Sequence, residues 1–141
     1  MLLQNSSNIQ LQQKIIETIC NIVPDCLAIY RFGSWGTVDQ RVDSDIDLAV
    51  LSADLLDPVG RWDLAQKLAA IAGRDVDLVD LLNASTVLRM QVVSSGERLY
   101  CSANTEVERF EDSVFSSYAR LNNERRSILE DVKKRGNVYG K

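Results

Sequence analysis

The run Leu27-Ala28-Ile29-Tyr30-Arg31-Phe32-Gly33-Ser34, then ten residues, then Asp45-Ile46-Asp47-Leu48-Ala49-Val50-Leu51 decides how this chain is read. Both flanks are short, rich in β-branched and aromatic residues, and read as strands, the first running straight into Gly33-Ser34. In a strand successive side chains alternate faces, so Asp45 and Asp47 project the same way while Ile46 turns into the core. Two carboxylates held side by side repel and are costly unless a cation neutralises them. Oxygen-only ligands select hard cations such as Mg²⁺, which binds through one or two carboxylates plus substrate phosphates. Glycine at the end of the first strand lets backbone approach a phosphate, and backbone N–H groups with the Ser34 hydroxyl can donate to its oxygens. One edge of a sheet would then hold an anion cradle and a metal clamp together.

A third carboxylate is expected from a neighbouring strand, and Asp75-Val76-Asp77-Leu78-Val79-Asp80-Leu81 supplies the candidates. Asp75 and Asp77 share one face, whereas Asp80 points with Val76 and Leu78. Asp77, in mid-strand, is the position where an unpaired charge is hardest to explain by packing, so it is taken as the third carboxylate. Asp75 and Asp80 are the alternatives.

The rest of the chain frames these strands. Ile9, Ile15, Ile16, Ile19 and Val23 form a helical stripe over residues 9–23 that Pro24-Asp25 stops. Asp57-Pro58 reads as an N-cap with proline at the first helical position, and Gly73 as the C-terminal stop. Between them Trp62, Ala65, Leu68, Ala69 and Ala72 repeat at helical spacing. A helix from about residue 84 to 95 ends at Gly96, and Arg98 to Cys101 reads as a short edge strand. Thr105-Glu106-Val107-Glu108 has capping-box form. Beyond it Val107, Phe110, Val114, Tyr118, Leu121, Ile128 and Val132 mark one face of a long helix, interrupted by Arg125. This face is read as intramolecular packing, with a partner-binding role for its far end left open. The fold class is α+β (α/β-like): a small mixed sheet of three or four strands flanked by helices, with a long C-terminal helix. A core is expected over residues 1–103, and residues 104–141 form the C-terminal helix and basic tail of the same domain.

Composition sets limits on the chemistry. The chain has 141 residues, 45% hydrophobic and 26% charged, and no histidine. That excludes Ser-His-Asp and Cys-His nucleophilic mechanisms and His-ligated zinc or haem. Cys20, Cys26 and Cys101 are odd in number and lack CxxC spacing, so they are expected to be reduced core residues of an intracellular protein. No signal sequence or membrane span is recognisable, and a cytoplasmic location is expected. Net charge is −4, divided as 9 basic and 17 acidic residues over 1–119 and 7 basic and 3 acidic over 120–141. The acidic body argues against direct nucleic-acid binding.

Gly33-Ser34-x10-Asp45-x-Asp47 resembles the signature of the DNA polymerase β-like nucleotidyltransferase superfamily. The SDIDLAV run, the later VDLVDL strand and the small size look like its minimal nucleotidyltransferases, the antitoxin halves of HEPN/MNT toxin–antitoxin pairs. The similarity covers about residues 10–100. It implies that Asp45 and Asp47 bridge two Mg²⁺ ions, that Asp77 completes the site, and that Gly33 and Ser34 hold the β/γ-phosphates of ATP. AMP would pass to a tyrosine of a cognate HEPN ribonuclease and silence it by adding bulk and negative charge. Family members continue from Gly-Ser with an aromatic and then Ala-Arg-Gly. Here the run is Trp35-Gly36-Thr37-Val38, and Arg41 is the candidate for the phosphate contact that the missing arginine would make. Trp35 is a candidate for stacking on a base or a partner as well as for partial burial. Two other functions fit the sequence: an antitoxin that neutralises by contact alone, and nucleotidyl transfer to a small molecule such as an aminoglycoside.

Overall fold

The computed structural model describes residues 2–33, 45–102 and 105–139, with side chains described from 8 to 134 within those spans. The order of elements is α1 (Leu2–Ile22), β1 (Cys26–Phe32), β2 (Ile46–Ser52), α2 (Pro58–Ala72), β3 (Val76–Asp80), α3 (Thr86–Ser95), β4 (Glu97–Cys101) and α4 (Thr105–Tyr139), with a 3-10 turn at Leu81–Asn83. The four strands form one mixed sheet in the order β3-β2-β1-β4. β1 is antiparallel to both β2 and β4, whereas β2 and β3 are parallel, joined through α2 as a parallel pair requires. The α+β architecture, its four strands and the edge position of the Arg98–Cys101 segment agree with the sequence reading.

Helices cover both faces of the sheet. On one face Ile15 and Ile19 of α1 and Leu64 and Leu68 of α2 pack over Ile46, Leu48 and Leu78. On the other, Val92 of α3 and Val107 of α4 pack over Ala28, Tyr30, Ala49 and Leu51. The alternation within β2 divides its residues between these two cores, which is why the strand is apolar almost throughout.

Local chemistry sets the ends of the helices. Asp57 caps α2 by accepting a hydrogen bond from Gly60 N at 3.0 Å, with Pro58 in the first turn. Gly73 ends α2 in a left-handed conformation (φ 70°), its N–H donating to Ala69 O at 2.8 Å. Ser85 caps α3 by accepting from Leu88 N at 3.1 Å, so that helix starts at Thr86, two residues later than the expected residue 84. α4 includes Thr105 itself.

Three expectations about burial are corrected. Trp62 does not belong to the core stripe of α2: it is 63% exposed, and Leu64 and Leu68 are the buried pair. The rest of the expected stripe holds, with Leu68 buried and Ala65 and Ala72 packed against the core. Of the cysteines only Cys26 is buried, whereas Cys20 is half-buried and Cys101, on the edge strand, is exposed. The apolar face of α4 packs as expected at Val107 and Val114 but not at its far end, where Ile128 and Val132 face solvent. Among the described residues no helix is long and apolar enough to cross a membrane.

Candidate active site

The parallel register places Asp47 of β2 directly opposite Asp77 of β3. On the antiparallel side Asp47 is opposite Phe32, the last residue of β1, so Gly33 follows immediately beside it. Asp45 precedes β2, two residues from Asp47 and on the same side of the strand by alternation. Between them Ile46 is fully buried, its N–H donating to Asp75 O at 2.9 Å, which ties the starts of β2 and β3 together. Asp45, Asp47 and Asp77 thus gather at one end of the sheet, on the face covered by α3 and α4 but beyond those helices' buried residues.

Gly33 is bound to this group more closely than its sequence position reveals. Its φ is +79°, in the region that L-residues avoid. A β-carbon there would collide with Asp47 Oδ2 and lie 3.2 Å from its Cγ. The glycine is therefore required twice, by its own backbone and by the carboxylate packed against it.

Electrostatics single out Asp47. Partial burial raises its carboxyl above the usual carboxylate range, and the negative charges of Asp77 and then Asp45 raise it further. Such crowding is the condition a cation relieves. The donors are all hard oxygens, which suits Mg²⁺. Among the described residues no three acidic or thiol side chains converge into a ready-made metal cage. The in-register pair Asp47–Asp77 is the nucleus that a metal would complete.

The alternatives for the third carboxylate fall elsewhere. Asp80 is 5% exposed on the opposite face. Its Oδ2 accepts from Leu56 N at 2.9 Å and its Oδ1 from Leu82 N at 3.0 Å, so it closes the α2-side loop and caps the 3-10 turn. Asp75 is exposed at the start of β3, its carbonyl engaged with Ile46. Ser34, Arg41 and Trp35 lie outside the described residues. A cavity of about 440 Å³ lies at the other end of β1, lined in part by Asp25, Cys26, Tyr100 and Glu106, and includes none of the three aspartates.

Sequence reasoning missed the residues that hold this edge to α4. The buried Tyr30 hydroxyl donates to Glu111 Oε2 at 2.7 Å. Burial, followed by the hydrogen bond and charge of Glu111, pushes the Tyr30 phenol well above its ordinary value. Glu111 also meets Arg98 of β4 at 3.5 Å. A tyrosine on the inward face of a strand was the available signal, because a buried hydroxyl needs a partner.

Comparison with known proteins gives the chain its relatives. Residues 13–105 match the family described as Polymerase beta, Nucleotidyltransferase. The chain is 46% identical over 121 residues to protein adenylyltransferase MntA of Shewanella oneidensis, covering 86% of each protein. It resembles a chain of a toxin–antitoxin crystal structure with AMP-PNP at a TM-score of 0.77 and 46% identity, covering 86% of this chain and 98% of that one. Its likeness to a chain of the complex of tri-AMPylated Shewanella oneidensis HEPN toxin with MNT antitoxin has a TM-score of 0.75 at 44% identity, covering 89% and 98%.

Proposed function

This chain belongs to the polymerase β nucleotidyltransferase family, and from that premise we propose that it is a cytoplasmic antitoxin that transfers AMP from ATP to a tyrosine of a cognate HEPN ribonuclease toxin. The observation that carries the reading is the in-register pair Asp47–Asp77, with Asp45 beside it and Gly33 packed on the Asp47 carboxylate. The likeness to an adenylyltransferase and to chains of HEPN-toxin and AMP-PNP complexes supports the substrate, the acceptor and the partner.

Asp45, Asp47 and Asp77 are the residues that would hold two Mg²⁺ ions, which when bound neutralise charge on the entering and leaving oxygens of the transferred phosphoryl group. Gly33 and Ser34 would bind the β/γ-phosphates through backbone N–H groups and the serine hydroxyl. Arg41 would take the phosphate contact for which the family pattern has an arginine three places after the serine. Asp77 would accept the proton of the attacking tyrosine hydroxyl as the new P–O bond forms and the bond to pyrophosphate breaks. No step needs an imidazole, in keeping with a chain that has no histidine.

The test is intact-mass measurement of the toxin after co-expression with the chain. Wild type adds one or more discrete AMP increments. Asp45→Ala/Asp47→Ala adds none while keeping the wild-type circular dichroism spectrum. Full AMPylation by the double variant refutes the mechanism, and neutralisation without any added mass shows an antitoxin that works by contact alone.

A further inference from the structure

The end of α4 that leaves the core has a direction, and the direction places it beside the aspartates. Ser102 N donates to Leu27 O at 2.8 Å, so the chain enters α4 near the start of β1. Glu111 accepts from Tyr30 farther along the same strand, so α4 runs parallel to β1, towards Gly33. With a rise of about 1.5 Å per residue in the helix and about 3.3 Å in the strand, α4 draws level with Gly33 near residue 118. Val114 is buried, Tyr118 and Leu121 are half-buried, and every side chain from Asn122 to Lys134 is exposed. From Asn122 to Tyr139 about 27 Å of helix therefore continues beyond the level of Gly33.

This arm is amphipathic rather than merely solvated. Ile128, Leu129 and Val132 are 62%, 68% and 57% exposed. Arg125, Arg126 and Lys133, with one acidic residue, Glu130, line a shallow groove with Asn122 and Leu129 on the same segment. Residues 120–141 carry seven basic and three acidic side chains, so two copies would repel each other there. We infer that the distal half of α4 is the docking arm for the acceptor protein: it takes an apolar groove rimmed by Asp and Glu, and holds the acceptor hydroxyl against the Asp45–Asp47–Asp77 edge. The inference rests on the AMP-transfer reading, which makes that acceptor the HEPN toxin. Docking at an arm next to the site turns the encounter of hydroxyl and phosphorus into a local one, which is what a small catalytic core needs from a protein substrate.

Two full-length variants test it: Ile128→Asp/Val132→Asp, which removes the apolar ridge, and Arg125→Glu/Arg126→Glu, which reverses the charge with residues of similar helix propensity. Both are titrated calorimetrically with the unmodified HEPN protein and, separately, with Mg·AMP-PNP. Each is expected to bind the HEPN protein at least ~10-fold more weakly, with helix content and AMP-PNP affinity unchanged. In AMP transfer the KM for the HEPN protein rises and kcat at saturation is retained. The charge-reversed variant also loses the salt dependence of binding. Wild-type affinity in both variants overturns the inference, as does a wild-type dimer that the same substitutions dissolve without affecting HEPN binding. A wild-type chain that binds the HEPN protein but never AMPylates it overturns the activity reading instead, and the affinities then decide the docking arm by themselves.

Discussion

Replacing Gly33 by alanine should damage stability and activity through one and the same carboxylate. The first cost is conformational: an L-residue held at positive φ loses about 1–2 kcal/mol. The second is steric, because the new methyl occupies the space of Asp47 Oδ2. Turning that carboxylate off its rotamer costs about 0.5–1.5 kcal/mol. Restricting the unfolded chain returns about 0.4–1 kcal/mol, which leaves a net loss of about 0.5–3 kcal/mol. With an unfolding entropy of about 2.1 cal/mol/K per residue over 141 residues, the melting temperature falls by about 2–10 °C. A double-mutant cycle isolates the steric part. In an Asp47→Ala background the methyl has room, so Gly33→Ala should cost about 0.5–1.5 kcal/mol less than in wild type. Urea unfolding followed by circular dichroism measures all four proteins, and intact mass of the toxin reports transfer. If the two substitutions prove additive, the Asp47 carboxylate does not fill the space beside Gly33 and the reasoning fails.

Three further outcomes follow from the same residues. The Asp47 carboxyl is raised in the folded protein, so its contribution to stability is present below its unfolded value and is lost as pH rises through the folded one. Metal-free Asp47→Asn should therefore be more stable than wild type at pH 7 and lose that advantage on acidification, while Mg²⁺ raises the melting temperature of wild type more than that of the variant. Tyr30→Phe removes the hydroxyl that donates to Glu111, and with Arg98 still near that carboxylate the loss should be about 1.5 kcal/mol, or about 5 °C. A melting temperature within about 1 °C of wild type would show that this bond does not tie α4 to the sheet. Asp80→Ala strips the partner from Leu56 N and Leu82 N and should cost about 3 kcal/mol. Its Mg²⁺-dependent stabilisation should persist, and loss of that response would place Asp80 in the metal site.

The strands, the caps of α2 and the long final helix were legible because each depends on local chemistry: alternation, Asp57-Pro58, Gly73 and the stripe beginning at Val107. Alternation within one strand also suffices to put Asp45 and Asp47 on the same face and Asp80 on the other. The register between strands is not local. Nothing in DIDLAVL or DVDLVDL alone states that Asp47 meets Asp77 rather than Asp75, because sliding β3 by two residues keeps every side chain on its face. The parallel pairing and the Ile46–Asp75 hydrogen bond fix that choice only after α2 has brought the strands together. Trp62 is the exception in α2: Ala65, Leu68 and Ala72 face the core as their spacing says, whereas Trp62, in the helix's opening turns, lies off the centre of that face.

The two ends of α4 illustrate how one periodic pattern serves two purposes. Up to Leu121 the apolar residues have a sheet to cover, and Val107 and Val114 are buried against it. Beyond that point the spacing continues, but Ile128 and Val132 keep the helical period while facing solvent. A pattern sustained past its own core must be matched by a surface outside the chain or else carry an unfavourable exposed ridge. Glu111 decides where the changeover occurs: by accepting from Tyr30 and meeting Arg98, it fixes how far α4 has advanced along β1. Tyr30→Phe therefore bears on function as well as stability. If the Tyr30–Glu111 bond sets the position of the arm, loosening it should raise the KM for the HEPN protein while leaving Mg·AMP-PNP affinity unchanged, because Gly33 and the aspartates are held by the sheet itself. An equal loss of nucleotide affinity would mean that α4 supports the aspartate edge directly, and the separation between catalytic sheet and docking helix would be wrong.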